Sequence, residues 1–126
     1  MNHKPPKILV VDDEPPLREL VVVTLGDAYA CDEAPNGDAA LKLMRKRRYD
    51  MVVLDVMMPG RSGIDVLREM HADEALRDVP VVVMSAWQST EDIDAALAAG
   101  ANGFLPKPFR VEDLDSTVRD VIGGSG

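Results

Sequence analysis

Asp12-Asp13-Glu14, Asp55, Ser85 and Lys107 are the residues whose types and placement could do chemistry, because each ends a short apolar run. The acidic triplet follows Ile8-Leu9-Val10-Val11, Asp55 follows Met51-Val52-Val53-Leu54, Ser85 follows Val81-Val82-Val83-Met84, and Lys107 follows the weaker run from Gly103 to Pro106. If these runs are parallel strands, ligands bind beyond their carboxyl ends where the strand order reverses, and three Asp side chains, a hydroxyl and an ammonium meet there. Two carboxylates about 4 Å apart repel by roughly 4 kcal/mol at an effective dielectric of about 20, so three of them need a cation. Lys107 alone does not balance them. An all-oxygen cluster without cysteine or histidine suits a hard divalent ion, and Mg²⁺ takes one or two carboxylates, keeps waters and accepts phosphate oxygens. The same set serves aspartyl phosphorylation, with Asp55 as nucleophile and the others as its electrostatic cradle, since phosphoryl transfer is catalysed mainly by positioning and charge stabilisation.

The elements that must position these groups are legible as an alternation. Short β-branched runs, with Ala30 to Ala34 as a further weak one, suit strands buried on both faces. Between them, apolar residues recur at helical spacing: Leu17, Leu20, Val21 and Leu25; Ala40, Leu41 and Met44 within about residues 37–47; Ile64, Leu67 and Met70; Ile93, Ala96 and Leu97; Leu114, Val118, Val121 and Ile122. Pro15 and Pro16 open a helix, Ser89 with Asp92 forms a capping-box pattern, and Gly26, Gly100 and Gly123 close helices. Strict alternation implies parallel strands joined by right-handed crossovers, a doubly wound α/β domain with helices on both faces. A chain of 126 residues is one domain, expected over residues 5–122 with flexible ends at 1–4 and 123–126.

Composition narrows the function classes. With 14 Lys and Arg against 22 Asp and Glu, the net charge of −8 repels phosphate backbones and argues against nucleic-acid binding by this domain. Cys31 is the single cysteine, residues 1–7 lack the apolar core of a signal peptide, and no apolar run approaches the roughly 18 residues that span a membrane, which together predict a cytoplasmic protein off the membrane.

The ordered set of motifs resembles the receiver domain of two-component response regulators over nearly the whole chain. The acidic pair Asp12-Asp13 after the first strand, Asp55-Val56-Met57-Met58-Pro59-Gly60 with Gly63, Ser85-Ala86 and Lys107-Pro108-Phe109 carry the resemblance. It implies a flavodoxin-like strand order 2-1-3-4-5 with five helices. It also implies that Asp55 accepts a phosphoryl group from the phosphohistidine of a partner histidine kinase or histidine phosphotransfer protein. Asp13, Asp55 and the backbone carbonyl of Met57 would bind Mg²⁺, with Mn²⁺ as a substitute, Asp12 would act mostly through metal-bound water, and Lys107 and Ser85 would contact the phosphoryl oxygens. Phe104, three residues before the lysine, would be the switch aromatic moving with Ser85, and the Lys107-Pro108 bond would be cis. Output would pass through the face of the fourth helix, fifth strand and fifth helix to a downstream effector or dimer partner. Such a chain is a signalling module, catalysing only its own phosphotransfer and slow autodephosphorylation.

Taken singly, each residue has a plainer role. Asp12 and Asp13 suit a solvated turn or a helix cap, Ser85 a structural hydroxyl, and Lys107 a surface charge. The run Arg45-Lys46-Arg47-Arg48 ends a helix, where cations complement the dipole, and is a solvated helix end rather than a nucleic-acid patch. His3 and His71 have no ligand-like companions. The Ala-rich stretch from Ala95 to Ala101 is a tightly packed helix or, with Phe104, part of a partner surface. Met57 and Trp87 are bulky and apolar beside Asp55 in the family pattern, and either hinder the water that hydrolyses the acyl phosphate, lengthening its lifetime, or merely cover apolar surface. An aspartyl hydrolase of the dehalogenase type would place Asp-x-Asp after the first strand, where this chain has Asp-Asp-Glu, and a flavodoxin-type flavin domain would place hydroxyl residues there. Relatives with winged-helix DNA-binding effectors usually carry Arg ten positions after the lysine, where this chain has Thr117.

Overall fold

Apolar side chains on both faces of each run force a central sheet covered on both sides. The computed structural model describes residues 4–58, 60–86 and 90–124. Its elements are β1 (Lys7–Val11), α1 (Pro15–Leu25), a short 3₁₀ turn (Gly26–Ala28), β2 (Ala30–Ala34), α2 (Gly37–Lys46), β3 (Met51–Asp55), α3 (Gly63–Ala72), β4 (Val81–Ser85), α4 (Thr90–Ala98), β5 (Gly103–Pro106) and α5 (Val111–Gly124). The five strands pair in parallel in the order β2-β1-β3-β4-β5.

The two-residue period of the strands divides the core. Ile8, Val10, Met51, Val53, Val82, Met84 and Leu105 face one way and pack with Val21 and Leu25 of α1 and Leu114 and Val118 of α5. Leu9, Val11, Val52, Leu54, Val81 and Val83 face the other, against Leu41 and Met44 of α2, Val66, Leu67 and Met70 of α3, and Ala96 of α4. Each fully buried Val or Leu contributes about 1.5–3 kcal/mol, so the two clusters anchor the strands whose ends carry the polar groups.

Local signals set the helix ends. Pro15 and Pro16 occupy the first two positions of α1, and Gly26, at φ 59°, ends it with its N–H donating to the Val22 carbonyl. The Asn36 side chain caps α2 by accepting from the Ala39 N–H at 2.8 Å. Ser62 and Asp65 form a reciprocal capping box at α3. The capping pattern expected at Ser89 lies outside the described residues.

Two inward assignments and one helix end need correction. Leu20 is 45% exposed and Leu97 is 47% exposed, because α1 and α4 each touch the sheet along a narrower stripe than their apolar content suggests. Gly123 does not close α5: the helix runs on to Gly124, with Val121 and Ile122 packed against the α1/α5 core. The ladders also extend one residue beyond the apolar runs, making Asp55 and Ser85 the last residues of β3 and β4, paired with Met84 and Pro106.

Candidate functional site

In the order β2-β1-β3-β4-β5 the chain winds outward from β1 to one side and from β3 to the other, so the carboxyl ends of β1 and β3 flank the point where the topology reverses. Asp12 and Asp13 leave β1 there, and Asp55 ends β3 beside them. Carboxylate oxygens of all three lie within 4.8 Å of one another. Asp12 and Asp55 are buried, Asp13 half-buried.

Lys107 crosses the rim from the end of β5. Its Nζ donates to Asp12 Oδ2 at 3.1 Å and lies 3.2 Å from Asp55 Oδ2. Its own backbone N–H donates to the Ser85 carbonyl at 2.8 Å, which seats the lysine against the end of β4. Ser85 is fully buried there, one residue beyond the pairing of Asp55 with Met84. The peptide bond from Lys107 to Pro108 is cis, as the resemblance implies.

Backbone donors complete the framework. The Glu14 N–H donates to Asp12 Oδ1 at 2.9 Å, and the Met57 N–H donates to Asp55 Oδ1 at 3.1 Å. After Asp55 the chain turns back under itself, with the Gly63 N–H donating to the Val56 carbonyl at 2.9 Å. A Cβ at Gly63 would sit 2.5 Å from the Asp55 carbonyl oxygen and 2.7 Å from Val56 Cα, so only glycine lets α3 start this close beneath the loop.

The electrostatics follow from burial and neighbours. Burial raises the Asp55 carboxyl, Asp12's charge adds to this, and Lys107 and the Met57 N–H only partly offset them, leaving it at about 6. Burial acts to lower Lys107, but the adjacent Asp55 and Asp12 outweigh it and hold the ammonium above its ordinary value. One ammonium among three carboxylates leaves two negative charges in excess. An all-oxygen donor set with that excess fits a hard divalent cation such as Mg²⁺, whereas the lack of thiolate or imidazole there disfavours softer metals.

The remaining sequence candidates fall as follows. Phe104 stands on β5 opposite Val83, half-buried against the core under α4. Met57 is 52% exposed beside Asp55, and Trp87 and Pro59 lie outside the described residues. Arg45 lies 3.9 Å from Asp73 and Arg47 pairs with Asp32 at 3.1 Å, so half of the basic run is engaged in surface ion pairs. His71 is exposed, and its ring packs so closely that a Cβ at Gly100 would come within 2.7 Å of Nδ1.

Two arginines were not anticipated from the sequence. Arg18 Nη1 donates to the Asp12 carbonyl at 2.7 Å while its Nε donates to Glu33 at 3.2 Å. Arg61, in the loop after Asp55, pairs with Asp38 of α2 at 2.7 Å and with Glu69 of α3. The available signal for Arg18 was a cation in the first turn of a helix, where the dipole disfavours it. Arg61 offered none, because its partners are 23 and 8 residues away.

Comparison with known proteins agrees with this arrangement. The family model for the response regulator receiver domain matches residues 8–119. The DNA-binding response regulator MtrA of Mycolicibacterium smegmatis is 40% identical over 114 residues, covering 90% of this chain and 49% of that protein. The phosphate regulon transcriptional regulatory protein PhoB of Pseudomonas aeruginosa is 36% identical over 120 residues, covering 94% of this chain and 52% of that protein. The chain thus spans about half the length of the curated relatives it matches. Among solved structures, the chemotaxis protein CheY4 of Vibrio cholerae superposes with a TM-score of 0.88 at 33% identity, covering 94% of this chain and 99% of that one. The receiver domain of Francisella response regulator 1452 gives a TM-score of 0.89 at 30% identity, with 96% and 99% covered. An acidic cluster at the topological switch, a lysine bridging two of its members and a family match over most of the sequence lead to one conclusion: the chain belongs to the response regulator receiver domain family of two-component signal transduction.

Proposed function

We propose that residues 5–122 act as a phosphoacceptor switch in which Asp55 takes a phosphoryl group from the phosphohistidine of a partner histidine kinase or histidine phosphotransfer protein. The observation that carries this reading is the Lys107 ammonium, 3.1 Å from Asp12 and 3.2 Å from Asp55, inside a cluster completed by Asp13. In the transfer an Asp55 carboxylate oxygen forms a bond to phosphorus as the P–N bond of the phosphohistidine breaks, and the imidazole leaves with a proton from solvent. Lys107 meets the added charge on the transferring oxygens, with the Ser85 hydroxyl as second donor.

Asp13, Asp55 and the Met57 carbonyl are the ligands we assign to Mg²⁺, with Mn²⁺ accepted in its place. Bound there, the ion supplies the charge neutralisation that the carboxylates and the phosphoryl oxygens both need. Asp12 has Oδ1 on the Glu14 N–H and Oδ2 on Lys107, which suits a role through metal-bound water. Phosphorylation adds up to about two negative charges at the rim, enough to bias Phe104 and the α4, β5 and α5 face between two arrangements with different partner affinity. The partner is a downstream effector or a second receiver. MtrA and PhoB are named as DNA-binding or transcriptional regulators, whereas the net charge of −8 argues against nucleic-acid contact by this domain itself. Its catalysis is confined to its own phosphotransfer and slow autodephosphorylation. No helix among the described residues is long and apolar enough to cross a membrane, and the phosphohistidine donor sets the reaction in the cytoplasm.

Incubation with acetyl phosphate and Mg²⁺, followed by intact mass measurement, tests the chemistry. The parent is expected to gain one phosphate and Asp55→Ala none. No gain in the parent, or an equal gain in the variant, overturns the reading.

A further inference from the structure

We propose that Arg18 is a positioning residue that aims the Asp13 carboxylate at the cation site by holding the peptide between Asp12 and Asp13. This rests on the function proposed above and adds a residue to it.

Asp13 is unlike its two neighbours in the cluster. Asp12 and Asp55 each take a backbone N–H and the Lys107 ammonium, but no hydrogen bond or ion pair holds the Asp13 carboxylate among the described residues. Its direction is therefore inherited from the backbone. That backbone is gripped at Asp12 from two sides. The Asp12 N–H donates to the Ala34 carbonyl at 3.2 Å, prolonging the β1–β2 ladder by one bond. Its carbonyl, which belongs to the peptide unit that launches Asp13, accepts from Arg18 Nη1 at 2.7 Å.

Arg18 is itself well placed to fix that peptide. Its side chain is only 16% exposed, and its Nε donates to Glu33 on β2, so the planar guanidinium spans α1, the acidic loop and the edge strand at once. Arg18 is the fourth residue of α1, near the positive end of the helix dipole, where Glu14 at the N-cap and the ion pair with Glu33 offset its charge. With its Nε paired to Glu33, its Nη1 is left to satisfy the carbonyl at the mouth of the acidic cluster. Groups that orient metal ligands from outside, when removed, typically weaken metal affinity by about 10–100-fold.

The sign of the effect separates positioning from bulk electrostatics. If Arg18 acted only through its charge, removing a cation near the site would tighten Mg²⁺ binding. If it aims Asp13, removal weakens it. Isothermal titration with Mg²⁺ on the parent, Arg18→Gln and Arg18→Lys reads this directly, with circular dichroism to confirm folding. We expect a dissociation constant about tenfold weaker for Arg18→Gln. Arg18→Lys should fall between, because a single ammonium keeps the charge but cannot hold the Asp12 carbonyl and Glu33 together. In acetyl phosphate reactions the Mg²⁺ concentration for half-maximal rate should rise by more than the saturated rate falls. Unchanged or tighter Mg²⁺ binding in Arg18→Gln, beside a parent that binds normally, overturns the proposal and leaves the receiver reading intact. A parent without Mg²⁺ binding overturns both. Should Arg18→Gln not fold, Arg18→Lys carries the same test, and parent-like affinity there counts against the proposal.

Discussion

Asp55 is the residue on which stability and function pull in opposite directions. Its carboxyl stands at about 6 in the folded chain against an ordinary 3.8, so ionisation opposes folding. The stability this group contributes is full below pH 3.8 and lost as pH rises through 6. Asp55→Asn removes that opposition and keeps an acceptor for the Met57 N–H, at the expense of one contact to Lys107, which retains Asp12. We expect the metal-free variant to gain about 1–2 kcal/mol at pH 7.5, a rise in Tm of roughly 4–8 °C, with the gain disappearing near pH 4. Thermal melts in chelator at both pH values check this, and an equal shift at pH 4 would refute the electrostatic cause. Met57 belongs to the same scale. If the Met57 side chain, half-exposed next to the acceptor, hinders an in-line water, Met57→Asn should speed phosphate loss from the phosphorylated protein severalfold in a timed release assay. An unchanged rate would return Met57 to the role of surface cover.

At the scale of elements, the site depends on loops held by contacts that no periodicity announces. The apolar runs of β1, β3 and β4 and their polar termini were readable because burial on both faces leaves a continuous signature, and the Asp12, Asp55 and Lys107 convergence followed from topology. The inner faces of α1 and α4 were less readable, since Leu20 and Leu97 satisfy helical spacing yet point outward. Arg61 and the Asp32–Tyr49 bond were invisible, because side chains that join segments 8 to 23 residues apart leave no repeat, and Arg18 showed only as a cation near a helix start, with nothing to name its partners. The Tyr49 hydroxyl, which donates to Asp32 at 2.7 Å, ties the start of β3 to the edge strand β2. Burial first, then that hydrogen bond and Asp32's charge, raise the phenol to about 12, so the stability it contributes is full below pH 10 and lost as pH climbs through 12. Tyr49→Phe should cost about 1.5 kcal/mol at neutral pH and flatten the stability decline between about pH 10 and 12 in denaturant titrations. A parent-like alkaline slope would show the bond to be idle. Gly63→Ala is the harsher change: a methyl 2.5 Å from the Asp55 carbonyl must displace the loop, and a loss of about 2–3 kcal/mol with slower phosphorylation is expected from melts and mass measurement.

For the molecule as a whole, the acidic rim is a place where stability and ligand are linked. A net charge of −8 means any salt will relieve some repulsion, so a rise in Tm with MgCl₂ is not by itself evidence of a site. A specific ion differs in two respects. It stabilises by RT ln(1 + [L]/Kd), about 1.4 kcal/mol at ten times Kd, with no plateau at a Debye-screening limit. It also vanishes when a ligand is lost. We therefore expect MgCl₂ to raise Tm by roughly 4–6 °C over NaCl of matched ionic strength in the parent, and by almost nothing in Asp13→Asn. Asp13 suits this comparison because its carboxylate has no protein partner among the described residues, so neutralising it disturbs the fold least. Removing one of three clustered carboxylates relieves repulsion, so the metal-free melt of Asp13→Asn should lie at or above the parent's, and the loss of the magnesium increment over matched NaCl is the readout of the site. Equal increments from MgCl₂ and NaCl in the parent would mean that the cluster is screened rather than occupied, and that its excess charge is tolerated without an ion.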